Sequence, residues 1–288
     1  MVRNPKEVLE QTYSMAAGKY AKTWYQIFWL GIMAGAYIAI GGFLSLLVGK
    51  GFPEMAEANP GLAKLLSGAM FPVGLILVVL TGAELFTSNN AVLIPAAVKS
   101  RIPRLFPLKL WTVVYVANFI GAFLFTYFLV HLAGFADADP WHSAIVHLSE
   151  DKTSLPFHVA FLRGIGANWL VCLAVWLGLS AHDFTGKMFG IWWPVMAFVA
   201  MGFEHSIANM FYIPLGILQG ASVSWGSFVI DNLLPVTIGN IVGGALFVGF
   251  FHVHIFDRGG KQKKGFAPSG ISDTILPDVS REDWLKKS

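Results

Sequence analysis

Two stretches of this chain repeat one another 202 − 82 = 120 residues apart, and both sit inside apolar runs. The first is Gly82-Ala83-Glu84-Leu85-Phe86-Thr87-Ser88-Asn89, and the second is Gly202-Phe203-Glu204-His205-Ser206-Ile207-Ala208-Asn209. In each, a glutamate follows the glycine by two places, an asparagine follows the glutamate by five, and an Ile-Pro pair comes next (Ile94-Pro95 and Ile213-Pro214). Hydrocarbon offers a free backbone amide no water. Glycine, a carboxylate and small polar groups at membrane depth are therefore tolerated where they interrupt a helix and line a polar path. A pair of interrupted spans in matching halves points to a transport site.

The surrounding sequence supports that setting. Only 13% of the 288 residues are charged, and the mean hydropathy of +0.61 excludes a soluble globular class. Uncharged runs at Gln26–Gly49, Leu65–Ala83, Leu110–Phe135, Gly164–His182, Met188–Phe203 (continuing through Ser206–Ile230) and Asn232–Phe256 predict six spans, each near the roughly 20 residues a bilayer requires. The first run begins too late, with no small-residue cleavage site behind it, to be a secretory signal.

Basic residues cluster before span one (Arg3, Lys6, Lys19, Lys22), in the second connection (Lys99, Arg101, Arg104, Lys109) and after span six (Arg258, Lys261, Lys263, Lys264). The third connection is acidic, with Asp137, Asp139, Glu150 and Asp151 around Lys152. This bias predicts both termini in the cytoplasm; the expected location is the plasma (inner) membrane of a bacterium. It also accounts for the net charge of +3 without a nucleic-acid partner. Trp24, Tyr25, Trp29, Trp111, Tyr115, Trp192, Trp193 and Trp225 fall near span ends, as interfacial anchors do.

Three regions follow: an N-terminal amphipathic helix (1–25), a pore domain (26–256) and a polar tail (257–288). Asn4, Pro5 and Glu7 form a helix-start signature, and Leu9, Tyr13, Ala16, Ala17 and Tyr20 keep helical spacing, which predicts a surface-lying helix. The repeat extends to Asn118 and Asn240, in Val114–Gly121 and Val236–Gly243, and to the pairs Phe71-Pro72 and Trp193-Pro194. Three spans per half require the second copy to enter the membrane upside down. The predicted fold is all-α, with six transmembrane helices in an inverted three-plus-three repeat and broken spans two and five. Glycines 31, 35, 41 and 42 predict close helix packing by span one.

A helix broken at depth aims unpaired amides and its positive dipole end at the centre, which favours an anion or a polar neutral solute. Thr87 and Ser88 are expected to cap the half-helix after the first break, with Ser206 at the matching place. Glu84 and Glu204 are expected to accept hydrogen bonds from freed backbone amides. His205 stands in an apolar stretch and can change protonation; although lone buried histidines are commonly structural, its place opposite Leu85–Thr87 in the repeat favours function. Lys152 is a candidate electrostatic lure at the outer mouth, although the sequence alone favours a solvated surface lysine. Cys172 can form no intrachain disulfide, and the remaining histidines show no metal spacing, so neither metal nor cofactor is expected.

Gly82–Asn89, Asn168–Trp176 and Gly202–Phe211 resemble the signatures of the formate/nitrite transporter family, and the likeness covers nearly all of residues 5–256. The resemblance implies a homopentamer of aquaporin-like protomers, each with its own pore. It makes His205 the central pore histidine, Thr87 its neighbour on the loop interrupting span two, and Lys152 the vestibule lysine. It places Phe71, Leu75, Leu85, Phe86, Val171 and Phe198 at the apolar constriction, and Asn168 and Asn240 among supporting amides. Leu85–Asn89 and Gly202–His205 are similar to formate channels, Asn168-Trp169 and Ile191–Trp193 to nitrite channels, and Ala36–Ala39 and Asn59–Lys64 to an algal chloroplast branch. The implied function is passage of small monovalent anions, formate foremost, with protonation assisted by His205. Nitrite, bicarbonate and hydrosulfide are alternatives. An aquaglyceroporin would need twin Asn-Pro-Ala boxes, which the breaks lack, and a membrane-embedded enzyme would need a cluster beyond Glu84, Glu204 and His205.

Overall fold

The computed structural model describes residues 2–257; the expected tail, with Arg258, Lys261, Lys263 and Lys264, lies beyond Asp257, outside the described residues. The N-terminal helix α1 (Pro5–Tyr20) starts as its sequence dictates. The Asn4 side chain accepts from the amides of Lys6 and Glu7, and the Glu7 carboxylate accepts from the Asn4 amide. Thr23 and Gln26 form the same reciprocal cap on α2 (Trp24–Lys50). Then come α3 (Pro53–Ala58), α4 (Pro60–Met70), α5 (Val73–Thr81), α6 (Phe86–Val98), α7 (Phe106–Leu124, extended to His131 in wider π turns) and α8 (Trp141–Thr153). The last four are α9 (Phe157–Ser180), α10 (Phe184–Ala200), α11 (Ser206–Leu218) and α12 (Trp225–Phe256, with two π stretches).

Five of these segments are long and apolar enough to cross a bilayer: Trp24–Lys50, Pro60–Thr81, Phe106–His131, Phe157–Ser180 and Trp225–Phe256. The expected fifth of six spans does not qualify as one rod, because it is divided into α10, of 17 residues, and α11, of 13. Nor does its helix continue to Ile230, although the uncharged run does. Gly220, at φ 92°, turns the chain after α11, and the last long helix starts anew at Trp225.

Helix α2 packs along α7, and α9 packs along α12. The two halves thus use the same pairing. The glycines of α2 permit close approach, since a Cβ on Gly41 would collide with the Phe71 carbonyl at 2.5 Å. Helix α1 buries one face, with Val8, Leu9, Tyr13 and Ala16 packed on α6, α9 and α12, and leaves Lys6, Glu10 and Ser14 exposed on the other. It is tied down ahead of its first turn and again at its middle. The Arg3 guanidinium donates to the carbonyls of Leu179 (2.7 Å) and Ala181 (3.0 Å), and the Tyr13 hydroxyl donates to the Asp257 carboxylate at 2.6 Å. That bond and the Lys99 ammonium hold the Asp257 carboxyl below its ordinary value.

Candidate functional site at two matched helix breaks

Both breaks are made the same way. Gly82 and Gly202 each take φ +74°, a left-handed conformation in which a Cβ would be strained although space is open around it. The amide one residue on reaches five back, Ala83 to Val78 (3.0 Å) and Phe203 to Phe198 (3.1 Å), closing each helix in a Schellman turn. The chain then runs extended through Leu85 and His205 before α6 and α11 begin.

The freed backbone groups are satisfied from neighbouring helices, and the two halves do it atom for atom. The Glu84 amide donates to the Leu30 carbonyl, and the Glu204 amide to that of Arg163. Asn118 Oδ1 accepts from the Phe86 amide (2.9 Å) while its Nδ2 donates to the carbonyls of Gly31 (2.7 Å) and Glu84 (2.9 Å). Asn240 Oδ1 accepts from the Ser206 amide (2.8 Å) while its Nδ2 donates to the carbonyls of Gly164 (2.8 Å) and Glu204 (3.0 Å). A side-chain amide suits this place because it supplies an acceptor and two donors on one plane.

The glutamates therefore play another part than the one expected. Their carboxylates bind side chains, not freed amides. Glu84 receives Lys19 (2.5 Å) and Asn89 (3.0 Å), with Lys22 at 3.4 Å. Glu204 receives Lys152 (2.9 Å) and Asn209 (2.7 Å). Lys19 lies on α1 and Lys152 on α8, and their spacing of 152 − 19 = 133 equals the 163 − 30 = 133 between Arg163 and Leu30. Helices α1 and α8 are thus matching members of the two halves. Sequence reading missed Lys19, because the repeat visible in the sequence runs at 120 residues and the offset of 133 emerges only once the contacts pair Leu30 with Arg163. Lys152 itself is neither a free lure nor a solvated lysine, because its side chain is 13% exposed and paired.

Two further expectations change. Thr87 and Ser88 do not cap α6, whose N-cap is Leu85 with no side-chain cap. The capping residue of the second half is His205, whose Nδ1 accepts from the Ala208 amide at 3.1 Å. The Ser206 hydroxyl has no partner, and Ser88 is buried in the first turn of α6.

That cap determines the imidazole tautomer. Nδ1 faces an N–H donor, so the proton resides on Nε2, which donates to Thr87 Oγ1 at 2.9 Å. One bond thus joins the two broken segments. The matching residue of the first half is Leu85, so the pair of breaks presents one polar ring and one aliphatic chain.

His205 stands between two spaces. On one side is a cavity of about 640 Å³, lined by Lys50, Lys64, Lys152 and Arg163, with Asp151 and Glu204. On the other is a void of about 10 Å³ among Ile38, Phe71, Leu75, Leu85, Val171, Val195 and Phe198. Five of the six expected constriction residues meet there, with Phe71 and Phe198 edge to face at 5.6 Å. Phe86 does not; its ring packs on Tyr115 (4.9 Å) and Trp111 (6.3 Å). Asn168 lies behind the site, donating to the carbonyls of Thr87 and Asn240 and to Asn90 Oδ1. Buried Cys172 contacts Thr87 O from the same side. Among the described residues no group of His, Cys, Asp and Glu could hold a metal.

Long apolar helices, two matched interruptions and a charged cavity ending at a buried imidazole define a multi-pass membrane transport protein. The family model for formate/nitrite transporters matches residues 6–254, and the chain belongs to that family. It is 41% identical over 270 residues to a probable formate transporter of Methanothermobacter thermautotrophicus, covering 88% of this chain and 97% of that one. It is 38% identical over 254 residues to the formate channel BtFdhC of Bacillus thuringiensis (88% and 96%). It is 39% identical over 264 residues to the formate channel FocA of Escherichia coli K12 (84% and 91%). Among solved structures, a pentameric formate channel with formate bound superposes with a TM-score of 0.73 at 37% identity, covering 82% of this chain and 98% of that one.

Proposed function

We propose that this chain is a channel for small monovalent anions, formate foremost, working as a homopentamer of six-span protomers whose halves are inverted in the plasma membrane. The observation that carries the reading is the Nε2–H of His205, a single buried donor placed between a cationic cavity and an apolar void. The family and the formate-transporting relatives point the same way. Both termini are taken as cytoplasmic from the charge bias.

A bare carboxylate entering the apolar ring would lose hydration worth several kcal/mol or more, with nothing from Phe71, Leu75 or Phe198 in return. A neutral acid avoids that loss. In this mechanism the anion collects in the cavity and accepts a hydrogen bond from His205 Nε2 in place of Thr87. While held there it takes a proton from hydronium on the cavity side, and formic acid crosses the void. His205 holds and orients the anion. It is not itself the net proton source, because surrender of the Nε2 proton would leave an imidazolate while Nδ1 already accepts from Ala208.

Proteoliposome uptake tests the reading. His205→Phe should abolish proton-coupled formate uptake while the protein still folds and assembles. Undiminished uptake by that variant would reduce the histidine to a structural cap. Swelling in glycerol but not formate would favour a neutral-solute pore, and nitrite uptake far above formate would move the substrate within the family.

A further inference from the structure

The internal repeat separates what the fold needs from what it does not. The carbonyl that takes the amide of the break glutamate belongs to Leu30 in one half and to Arg163 in the other. A carbonyl performs that duty, and the side chain is indifferent to it. The guanidinium of Arg163 is therefore extra to the architecture. Arg163 is exposed and borders the 640 Å³ cavity, and among the described residues its side chain has no hydrogen-bond or ion-pair partner. Lys50 and Lys64, on the same cavity, are likewise unpaired, whereas the Lys152 charge is matched by Glu204. A guanidinium presents paired donors in a fork that fits the two oxygens of a carboxylate.

We propose that Arg163 is a carboxylate-binding residue of this vestibule, receiving a monocarboxylate before it reaches His205 and retaining small dicarboxylates as blockers. The cavity, of about 640 Å³, has room for a dicarboxylate. One protonation leaves a dicarboxylate charged, and that remaining charge raises the desolvation cost of passage through the apolar void beyond. The inference rests on the anion-channel reading.

The test uses Arg163→Leu, which installs the residue present at the matching place in the first half, and Arg163→Lys, which keeps the charge without the fork. In low salt, Arg163→Leu should raise the formate concentration for half-maximal uptake about three-fold, the effect of one unit charge several ångströms away in water-like surroundings. The difference should shrink at about 150 mM salt. Malonate should inhibit wild-type uptake several-fold more strongly than uptake by the leucine variant, with the lysine variant between them. Equal half-saturation and equal malonate inhibition in wild type and Arg163→Leu would overturn the proposal. Failure of wild-type vesicles to take up formate would instead refute the channel reading. Calorimetric titration of malonate into the purified protein reads the vestibule without flux, and binding unchanged by Arg163→Leu would overturn the assignment by itself.

Discussion

Replacing Asn240 by alanine tests whether side-chain amides hold the helix breaks. Its side chain is fully buried and makes three bonds, accepting from the Ser206 amide and donating to the carbonyls of Gly164 and Glu204. Alanine leaves the Ser206 amide without a partner, a desolvation cost of about 1–3 kcal/mol, and removes two further bonds worth about 1 kcal/mol each. Carbonyls retain a second lone pair, so they contribute less than the amide. The expected loss is about 3–5 kcal/mol. Asn240→Asp keeps the acceptor for Ser206 and, when protonated, one donor, so it should lose roughly half as much. Equilibrium unfolding in mixed detergent micelles measures the stability, and formate uptake by refolded vesicles measures the function. Uptake should fall with stability, because the same bonds place His205 one residue away. Asn118→Ala should cost a similar amount, since its bonds are the same in the first half. Losses below about 1 kcal/mol for both alanine variants would mean that the glycine turns alone hold the breaks, and the reasoning would fail.

The Lys152–Glu204 pair should couple strongly. Lys152→Met leaves a carboxylate whose side chain is only 4% exposed without its cation, and should destabilise by about 3–5 kcal/mol. Glu204→Gln in that background should recover much of the loss, and a double-mutant cycle without coupling would sink the pairing. The clamp on α1 should open in acid. The Asp257 carboxyl is held low by the Tyr13 hydroxyl and the Lys99 ammonium, so its contribution is present above the unfolded-state carboxylate range and is lost as pH falls through the lowered folded value. Hydrogen exchange along Pro5–Tyr20 should therefore accelerate only at strongly acidic pH, and Asp257→Asn should remove that acid step. An acid step that persists in Asp257→Asn would assign it to another group.

Much of the site was legible because its most stringent requirement is local. A left-handed turn in a helix at membrane depth selects glycine, so Gly82 and Gly202 mark the breaks whatever surrounds them. Their shared spacing to glutamate and asparagine exposes the repeat, and the apolar runs give most of the helices their length. The tertiary structure decided which atom answers which. Glu84 and Glu204 were visible as buried charges, but their lysines come from α1 and α8, far along the chain, and only packing brings them within reach. Phe86 follows Leu85 directly, yet the extended residue that opens α6 sends its ring to Tyr115 while Leu85 borders the void. The α1 pattern foretold an apolar face but not its partner, since burial against helices and burial against lipid select the same side chains. Composition and spacing record what each residue cannot leave unsatisfied; which neighbour satisfies it depends on contacts between distant segments, and these exist only once the helices have packed.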